Sequence, residues 1–330
     1  MNRTDRLFLA PATVLVAIQL VFGTLLGIAG GYSFSPDLVR QLSIAAVFVF
    51  PIFAGHFLFF LLRCIYRRAE SPLAQLREDY RNHRWRVATT AWIILLIVLQ
   101  VGLLNYSKSM IPMVTTYWAD PLLAAADRLL FLGADPWTLF HQIDVPFIDR
   151  IYAIWAPLMF GTILVLPFLK ASKTRSIALL SWFLVFAIDI MILQFTLPSG
   201  GPIFYERLGH GSEFAGIPLH PVASQASDYL WTAYVARDSA LGGGISAFPS
   251  MHVATSFWMA LVWRSYSKPL GLAGFVFSGL ILFGSVYLGW HYLWDGIVSI
   301  ALAFACFRIA ETLLSARYNR YPMRSEPRPS

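Results

Sequence analysis

Long apolar runs, separated by short polar segments, are the feature of this chain that most limits its fold. Of its 330 residues, 57% are hydrophobic and only 13% are charged, whereas a soluble domain carries about a quarter charged residues. A helix of about 20 apolar residues crosses a bilayer. Because backbone groups in lipid must be hydrogen-bonded internally, and no alternating barrel-type strands occur, we predict an all-α, polytopic membrane helix bundle.

Eight spans can be placed on the sequence. They cover 8–30, 43–65, 87–106, 150–169, 177–197, 252–266, 270–288 and 293–314. The first run exceeds the roughly 7 to 15 apolar residues of a signal peptide, so we expect an uncleaved helix. We divide the chain into two N-terminal spans with a basic loop (1–86), a six-helix catalytic core (87–316) and a basic tail (317–330).

Basic residues predict the orientation of these spans. They cluster after the second, fourth and sixth spans and in the tail, and include Arg81, Arg84, Arg86, Lys170, Lys173, Arg264, Lys268 and Arg317. All of them lie on the cytoplasmic side if both termini do. We therefore expect a plasma-membrane or inner-membrane protein. The net charge of +7 then reflects topology, and we predict no nucleic-acid partner.

The opposite side receives two long connections, 107–149 and 198–251, and a short link near Trp290. In the first connection, Asp120 and Pro121 begin a stretch that we predict to be a helix on the outer surface. In the second, a short helix is expected near 227–241. Long connections are more often functional than structural, so we look for chemistry on this side.

Three sequence segments on that side suit the binding of phosphate; they are 198–207, 242–252 and 287–295. Glycines such as Gly244 let backbone N–H groups approach an anion, and a helix N-terminus adds unsatisfied donors. Arg207 offers a planar fork of donors. Ser250 either caps the sixth span or donates its hydroxyl to a phosphate oxygen.

Two histidines and a carboxylate complete the set. His291 and Asp295 are four residues apart, so they share one helix face, and the carboxylate can fix the imidazole tautomer. His252 can give a proton to a leaving alkoxide. Each feature alone has a simpler explanation, as a flexible loop, a helix cap or a polar residue at the membrane surface. Their joint placement at the ends of three spans favours a site.

Two of these segments resemble a known family. Pro249-Ser250-Met251-His252 and the 287–295 run Tyr-Leu-Gly-Trp-His-Tyr-Leu-Trp-Asp resemble the type 2 phosphatidic acid phosphatase superfamily, in particular its aureobasidin-resistance branch, which includes inositol phosphorylceramide synthases. The resemblance covers the six C-terminal spans. It implies that His291 attacks phosphorus to form a phosphohistidine, that Asp295 is its partner, and that His252 is the leaving-group acid.

The same resemblance implies that Ser250 and nearby backbone amides bind phosphate oxygens, and that neither a metal nor another cofactor is needed. The chain also departs from the superfamily pattern: Gly284-Ser285 stands where other members have Ser-Arg, and the earlier Lys and Arg-Pro element is absent. We therefore predict Arg207 as the phosphate ligand, with Lys108 or Arg237 able to share the role.

Other polar residues are left outside the predicted site. Asp189, within the fifth span, is either a functional carboxylate or a protonated helix-to-helix hydrogen bond. Asp127 and Arg128 can pair with the catalytic region. We interpret His56 as a packing residue and His210 and His220 as surface residues. Cys64 and Cys306 match no disulfide or metal spacing.

These predictions imply a membrane lipid substrate that enters laterally, with a lipid alcohol or water as acceptor. The branch resemblance favours transfer of a phosphoinositol-type head group to a lipid alcohol. A lipid phosphate phosphatase is the alternative. A non-enzymatic transporter or scramblase is a further alternative, but transporters gather polar groups near the bilayer midplane, and here they gather at one rim.

Overall fold

The computed structural model describes residues 3–31, 50, 54–55, 57–66, 71–237 and 243–320. Residues 43–49, 51–53 and His56 of the predicted second span, Gly242 and residues 321–330 of the predicted basic tail lie outside the described ranges. Within them, every regular element is helical, which confirms the all-α prediction.

Thirteen α-helices can be numbered along the described residues. They are α1 Arg3–Ala29, α2 Phe57–Tyr66, α3 Pro72–Val114, α4 Asp120–Leu130, α5 Pro136–Phe140, α6 Ile148–Ala153, α7 Trp155–Val165, α8 Lys173–Ile188, α9 Gln194–Thr196, α10 Pro221–Ala236, α11 Met251–Tyr266, α12 Lys268–Tyr287 and α13 Leu293–Arg320. Six stretches of the described chain are long and apolar enough to cross a membrane: in α1, α3, α6–α7, α8–α9, α12 and α13. The protein is therefore a polytopic membrane bundle.

Two of the eight predicted spans are not among these six stretches. The predicted span 252–266 is α11, whose 16 residues extend about 24 Å, less than the roughly 30 Å of a bilayer core. This helix packs against α12 and α13, so it is largely covered by protein. Of the predicted span 43–65, the structure describes residues 50, 54–55 and 57–65, and the last of these ranges lies in α2.

Helix α3 is longer than its predicted span of 87–106. It has 43 residues and begins at Pro72, so part of the expected basic loop is helical. Leu, Gln, Arg and Glu in this stretch are strong helix formers, and Pro is favoured in the first helical turn. Arg81 and Arg84 are exposed along it.

The hydrophobic core surrounds α8, which packs against α1 and α13 and is buried along most of its length. The rings of Trp182 and Trp258 on α11 lie 5.0 Å apart. The indole N–H of Trp258 donates to the hydroxyl of Ser181 over 3.0 Å. This hydrogen bond joins α11 to α8 inside the bundle, where hydrocarbon surroundings offer a polar group no water to bind.

One end of the bundle holds basic side chains. Arg175 donates to the carboxylate of Asp5 over 2.8 Å, and Arg86 donates to the carbonyl of Phe168 over 3.0 Å. Arg317 donates to the carbonyl of Leu7. Since α8 begins and α13 ends there, the end of α9 and the beginnings of α11 and α13 lie at the opposite end, where the three predicted segments meet.

Candidate active site

The three segments predicted to converge are hydrogen-bonded to one another. The N–H of Ala247 donates to the carbonyl of Ser199 over 2.7 Å, and that of Phe248 donates to the Ser199 hydroxyl over 3.1 Å. The N–H of Ile203 donates to the carbonyl of Gly289 over 2.8 Å. The three connections therefore form one layer over the end of the helix bundle.

Glycines stand where these segments touch. Gly201 has a φ of +91°, and a Cβ there would lie 2.3 Å from the carbonyl oxygen of Trp290. Gly244 has a φ of +84°, and a Cβ there would lie 2.7 Å from the carbonyl carbon of Lys108. Because only glycine adopts such backbone conformations without strain, both positions require it.

A cavity of about 330 Å³ lies beneath this layer. Its polar lining residues are Lys108, Asp149, Gly200, Gly244, Ser246, His252 and His291. Two of the three predicted catalytic residues therefore face the same space, and Gly244 forms part of its wall.

His291 is held by the main chain. Its Nδ1 lies 2.8 Å from the carbonyl oxygen of Ala247. A carbonyl oxygen only accepts, so Nδ1 carries the proton and Nε2 of the neutral ring keeps its lone pair. Burial lowers the pKa of His291 to about 3; the Ala247 hydrogen bond offsets part of this effect, and the positive charge of Lys108 adds to it. The imidazole is therefore uncharged at neutral pH, and its Nε2 is free to act as a base or nucleophile.

Asp295 is the second neighbour of that ring. One of its carboxylate oxygens lies 3.5 Å from Nδ1 of His291. The same oxygen accepts the N–H of Tyr292 over 2.9 Å, which closes the first turn of α13 as in a capping box. The nearer acceptor for Nδ1 is thus Ala247, and the carboxyl group of Asp295 lies beside the imidazole.

His252 lies in the first turn of α11 between two aromatic rings. The ring centroid of His252 lies 4.8 Å from that of Tyr152 and 4.0 Å from that of Trp155. The centroid of His291 is 5.9 Å away. The two imidazoles can therefore flank a group that is bound between them.

Ser250 is fully buried and forms the N-cap of α11. Its hydroxyl oxygen accepts from the N–H of Val253 over 3.4 Å, and its own N–H contacts the carbonyl of Asp295 over 3.4 Å. The residues that line the cavity include its neighbours Met251 and His252, but not Ser250. In this state, therefore, Ser250 caps the helix and joins α11 to α13.

Of the three predicted phosphate-binding cations, the structure brings Lys108 to the histidines. Arg207 donates to Asp228 over 2.7 Å, its guanidinium lies over Trp231, and it does not line the cavity. Arg237 is exposed at the end of α10. Lys108 lines the cavity on the side of α3. It is the single Lys or Arg among the described lining residues.

Asp189 lies close to Lys108. It begins a π-helical turn, Asp189–Leu193, and its carboxylate accepts from the side-chain amide of Gln194. The amide oxygen of Gln194 in turn accepts from the hydroxyl of Ser107 on α3. Since Lys108 also interacts electrostatically with Asp189, this polar group links α3 to the end of α8 next to the cavity.

Two aspartates of α4 contribute to the site, although the sequence did not identify their roles. The carboxylate of Asp120 accepts the N–H groups of Gly200 and Gly201 over 2.8 and 2.9 Å. It also accepts the hydroxyl of Tyr292 over 2.9 Å. Two backbone donors of the first segment, which glycine-rich loops can offer to phosphate, are therefore occupied by Asp120.

Asp127 binds the beginning of α13. Its carboxylate accepts from the N–H groups of Leu293 and Trp294 over 2.8 and 3.2 Å. Burial raises its pKa to about 6, against the effect of these two hydrogen bonds. Asp120 and Asp127 are seven residues apart, two turns along one face of α4. In the sequence, the seven-residue spacing of two carboxyl residues on an amphipathic stretch was the signal that both contact the same neighbouring segments.

Across the described ranges, no three or more His, Cys, Asp and Glu side chains are grouped so as to hold a metal ion.

A family model described as the PAP2 superfamily matches residues 121–309, more than half of the chain. The matched region contains Asp127, His252, His291 and Asp295, and begins after Lys108. The match supports the superfamily but does not single out the aureobasidin-resistance branch. No curated protein and no solved structure matches the chain.

Proposed function

Because the chain belongs to the PAP2 superfamily, whose members act on phosphate esters, we propose that it transfers the phosphorylated head group of a membrane lipid through a phosphohistidine at His291. The acceptor is a lipid alcohol. Hydrolysis, in which water takes the place of that alcohol, follows from the same intermediate.

The observation that carries this proposal is the state of His291. A neutral imidazole whose Nδ1–H is fixed by the Ala247 carbonyl has its reactive lone pair on Nε2. The ring borders a cavity that also contains Lys108 and His252. Nucleophile, cation and second imidazole are the three groups that phosphoryl transfer requires here.

In the first step, Nε2 of His291 attacks phosphorus and the bond from phosphorus to the leaving oxygen breaks. The leaving alkoxide takes a proton from His252. Burial lowers the pKa of this ring, and the negative charge of the bound phosphate raises it, which favours the imidazolium form needed for this step. The His291 ring then carries a positive charge, which Asp295 at 3.5 Å stabilises. In the second step, the acceptor hydroxyl attacks phosphorus, returns a proton to His252, and the bond from Nε2 to phosphorus breaks.

Lys108 replaces Arg207 as the proposed phosphate ligand. Arg207 is already paired with Asp228, whereas Lys108 lines the cavity. Its ammonium group offers three donors and a charge in surroundings where water does not screen it fully.

We place this site on the extracytoplasmic face, with both termini in the cytoplasm, because basic side chains gather at the opposite end of the bundle. The test is labelling of Ser212→Cys, an exposed position in the 198–251 connection, with a membrane-impermeant maleimide on intact cells. Labelling supports this orientation. Labelling only after lysis reverses it.

The activity is tested with purified full-length protein in three forms: wild type, His291→Ala and His83→Ala, the last being a control on an exposed part of α3. One assay measures phosphate released from phosphatidic acid. A second measures new phospholipid from phosphatidylinositol with ceramide or diacylglycerol. We expect new phospholipid from wild type and His83→Ala, and none from His291→Ala.

Phosphate release that depends on His291, without a new phospholipid, would make the protein a phosphatase. Neither product from folded wild-type protein would overturn the enzymatic assignment and favour a transporter.

A further inference from the structure

The cavity has a second, apolar side that the proposed chemistry does not use. This side is lined by Ala153 and Ala156 of the α6–α7 region and by Val222, Ala226, Tyr229 and Leu230 of α10; the carboxyl residue Asp149, near the beginning of α6, also lines the cavity. Lys108, His252 and His291 belong to other elements, namely α3, α11 and the 287–295 segment. Such a division fits a ligand that is itself amphiphilic, with an anionic end and a hydrocarbon end.

The mouth of the cavity lies between these two elements. Val222 and Tyr229 line the cavity and are nevertheless 42% and 47% exposed, so they stand at its edge. Ala153 is exposed on the other side. The helix is interrupted at Ile154, between α6 and α7, because Pro157 cannot donate to the carbonyl of Ala153.

The depth of this mouth indicates what it faces. The membrane span begins at Ile148, and Ala153 and Ala156 come five and eight residues later, about 8 to 12 Å along the helix axis. The neighbouring Ile154 is 49% exposed. The α6–α7 side of the opening therefore lies within the apolar part of this span, whereas the α10 side belongs to the 198–251 connection.

The size of the cavity limits what fits inside. Ligand cavities run from about 300 to 1,000 Å³, and this one, at about 330 Å³, is near the lower limit. A phosphate group and the first part of a hydrocarbon chain fill it. The rest of a long chain must leave through the mouth.

We propose that the cleft between α10 and the α6–α7 break is the acyl-chain subsite of the lipid substrate. Ala156 and Ala226, small side chains on opposite walls, set its width. The proposal rests on the proposed function and adds where the hydrocarbon end of the substrate binds.

The test narrows the cleft and compares two chain lengths on one head group. Ala226→Trp is compared with Gln225→Trp, a control on an exposed position of α10 that does not line the cavity. The substrates are dibutyryl and dioleoyl phosphatidic acid, or the two corresponding phosphatidylinositols if the protein transfers head groups. We expect Ala226→Trp to lower kcat/KM for the dioleoyl substrate at least tenfold more than for the dibutyryl one, and Gln225→Trp to leave this ratio unchanged.

Ala156→Phe repeats the test from the opposite wall and serves if Ala226→Trp does not fold. An equal loss on both chain lengths, no loss on either, or the same selectivity change in Gln225→Trp would overturn the subsite. Failure of the proposed function gives a different result. Wild type would then show no His291-dependent turnover of either substrate.

Discussion

The Nδ1–H of His291 donates to the carbonyl oxygen of Ala247 over 2.8 Å, so a main-chain atom orients the proposed nucleophile. Side-chain substitution does not remove that carbonyl. The orientation of the imidazole depends instead on the path of the 243–252 segment, which the hydrogen bonds to Ser199 hold in place.

Asp295→Asn is therefore expected to weaken the reaction without abolishing it. The carbonyl of Ala247 still fixes the tautomer, and what is lost is the negative charge beside the phosphorylated ring. We expect a loss in kcat well below the roughly 10⁴-fold seen when a triad histidine loses its orienting carboxylate. Single-turnover kinetics measure it, with His291→Ala as the reference for complete loss. Equal loss in the two variants would contradict the role of Ala247.

His252→Ala is expected to show an effect that depends on the leaving group. Without a general acid, an alkyl phosphate should lose about 10²- to 10⁴-fold in rate. A 4-nitrophenyl phosphate, whose leaving group needs no proton, should lose far less. Rates of phosphoenzyme formation on the two substrates give the comparison. A uniform loss would show that His252 does not supply the proton.

Lys108→Met and Arg207→Gln separate the two predicted phosphate ligands. Loss of a hydrogen bond to a charged group costs about 1.5 to 3 kcal/mol, so we expect kcat/KM to fall by about 10- to 150-fold in Lys108→Met. Arg207 forms an exposed ion pair with Asp228, and such pairs contribute about 0 to 1 kcal/mol to stability. Arg207→Gln should leave kcat/KM nearly unchanged. The reverse order of effects would restore Arg207 as the ligand.

Asp127 is expected to make stability depend on pH. Burial raises its pKa to about 6 in the folded protein, above the unfolded value near 3.9. The folded state therefore binds more protons between about pH 4 and 6, so this contribution to stability is greatest at low pH and is lost as the pH rises through that range.

The measurement is the difference in Tm between wild type and Asp127→Asn across that pH range. Asn retains an oxygen that can accept from α13 but does not titrate. We expect the difference to shift against wild type from pH 4 to pH 6.5 and then to stay constant, whereas a constant difference throughout would place the pKa of Asp127 at its ordinary value.

Asp120→Ala is expected to be strongly destabilising. The variant leaves the buried N–H groups of Gly200 and Gly201 without their acceptor, and each such group costs about 1 to 3 kcal/mol. Thermal unfolding should show a clear fall in Tm. Asp228→Ala, which removes an exposed carboxylate, is the control. A Tm equal to that of the control would mean that water replaces Asp120.

Local pattern in the sequence predicts the helices and the meeting of the three segments. Apolar runs identify spans because a backbone surrounded by lipid must form its hydrogen bonds internally, as a helix does. Connections on the same side of the membrane must lie at the same end of the bundle. Contacts between distant residues have no such signal. Asp120 meets Tyr292, 172 residues away, and a helix-starting Asp-Pro pair predicts only a helix.

The choice between Lys108 and Arg207 could not be made from sequence for the same reason. Both were candidate cations near the predicted site, and only packing shows that Asp228 on α10 occupies Arg207. The apolar sequence of α11 predicts a span, but it does not show that α12 and α13 cover much of the surface of this helix. Apolar composition alone does not distinguish lipid from protein as a neighbour.

Helix α4 fastens the 199–201 turn through Asp120 and the start of α13 through Asp127, yet it is not one of the apolar spans. The arrangement of the site residues thus depends on the hydrogen bonds that α4 forms. Detergent can open these bonds while the membrane spans remain helical, because small units of a protein open independently. A circular dichroism spectrum of the solubilised protein reports the helical content of the spans. Hydrogen exchange at the N–H groups of Leu293 and Trp294 would report whether their hydrogen bonds to Asp127 are formed.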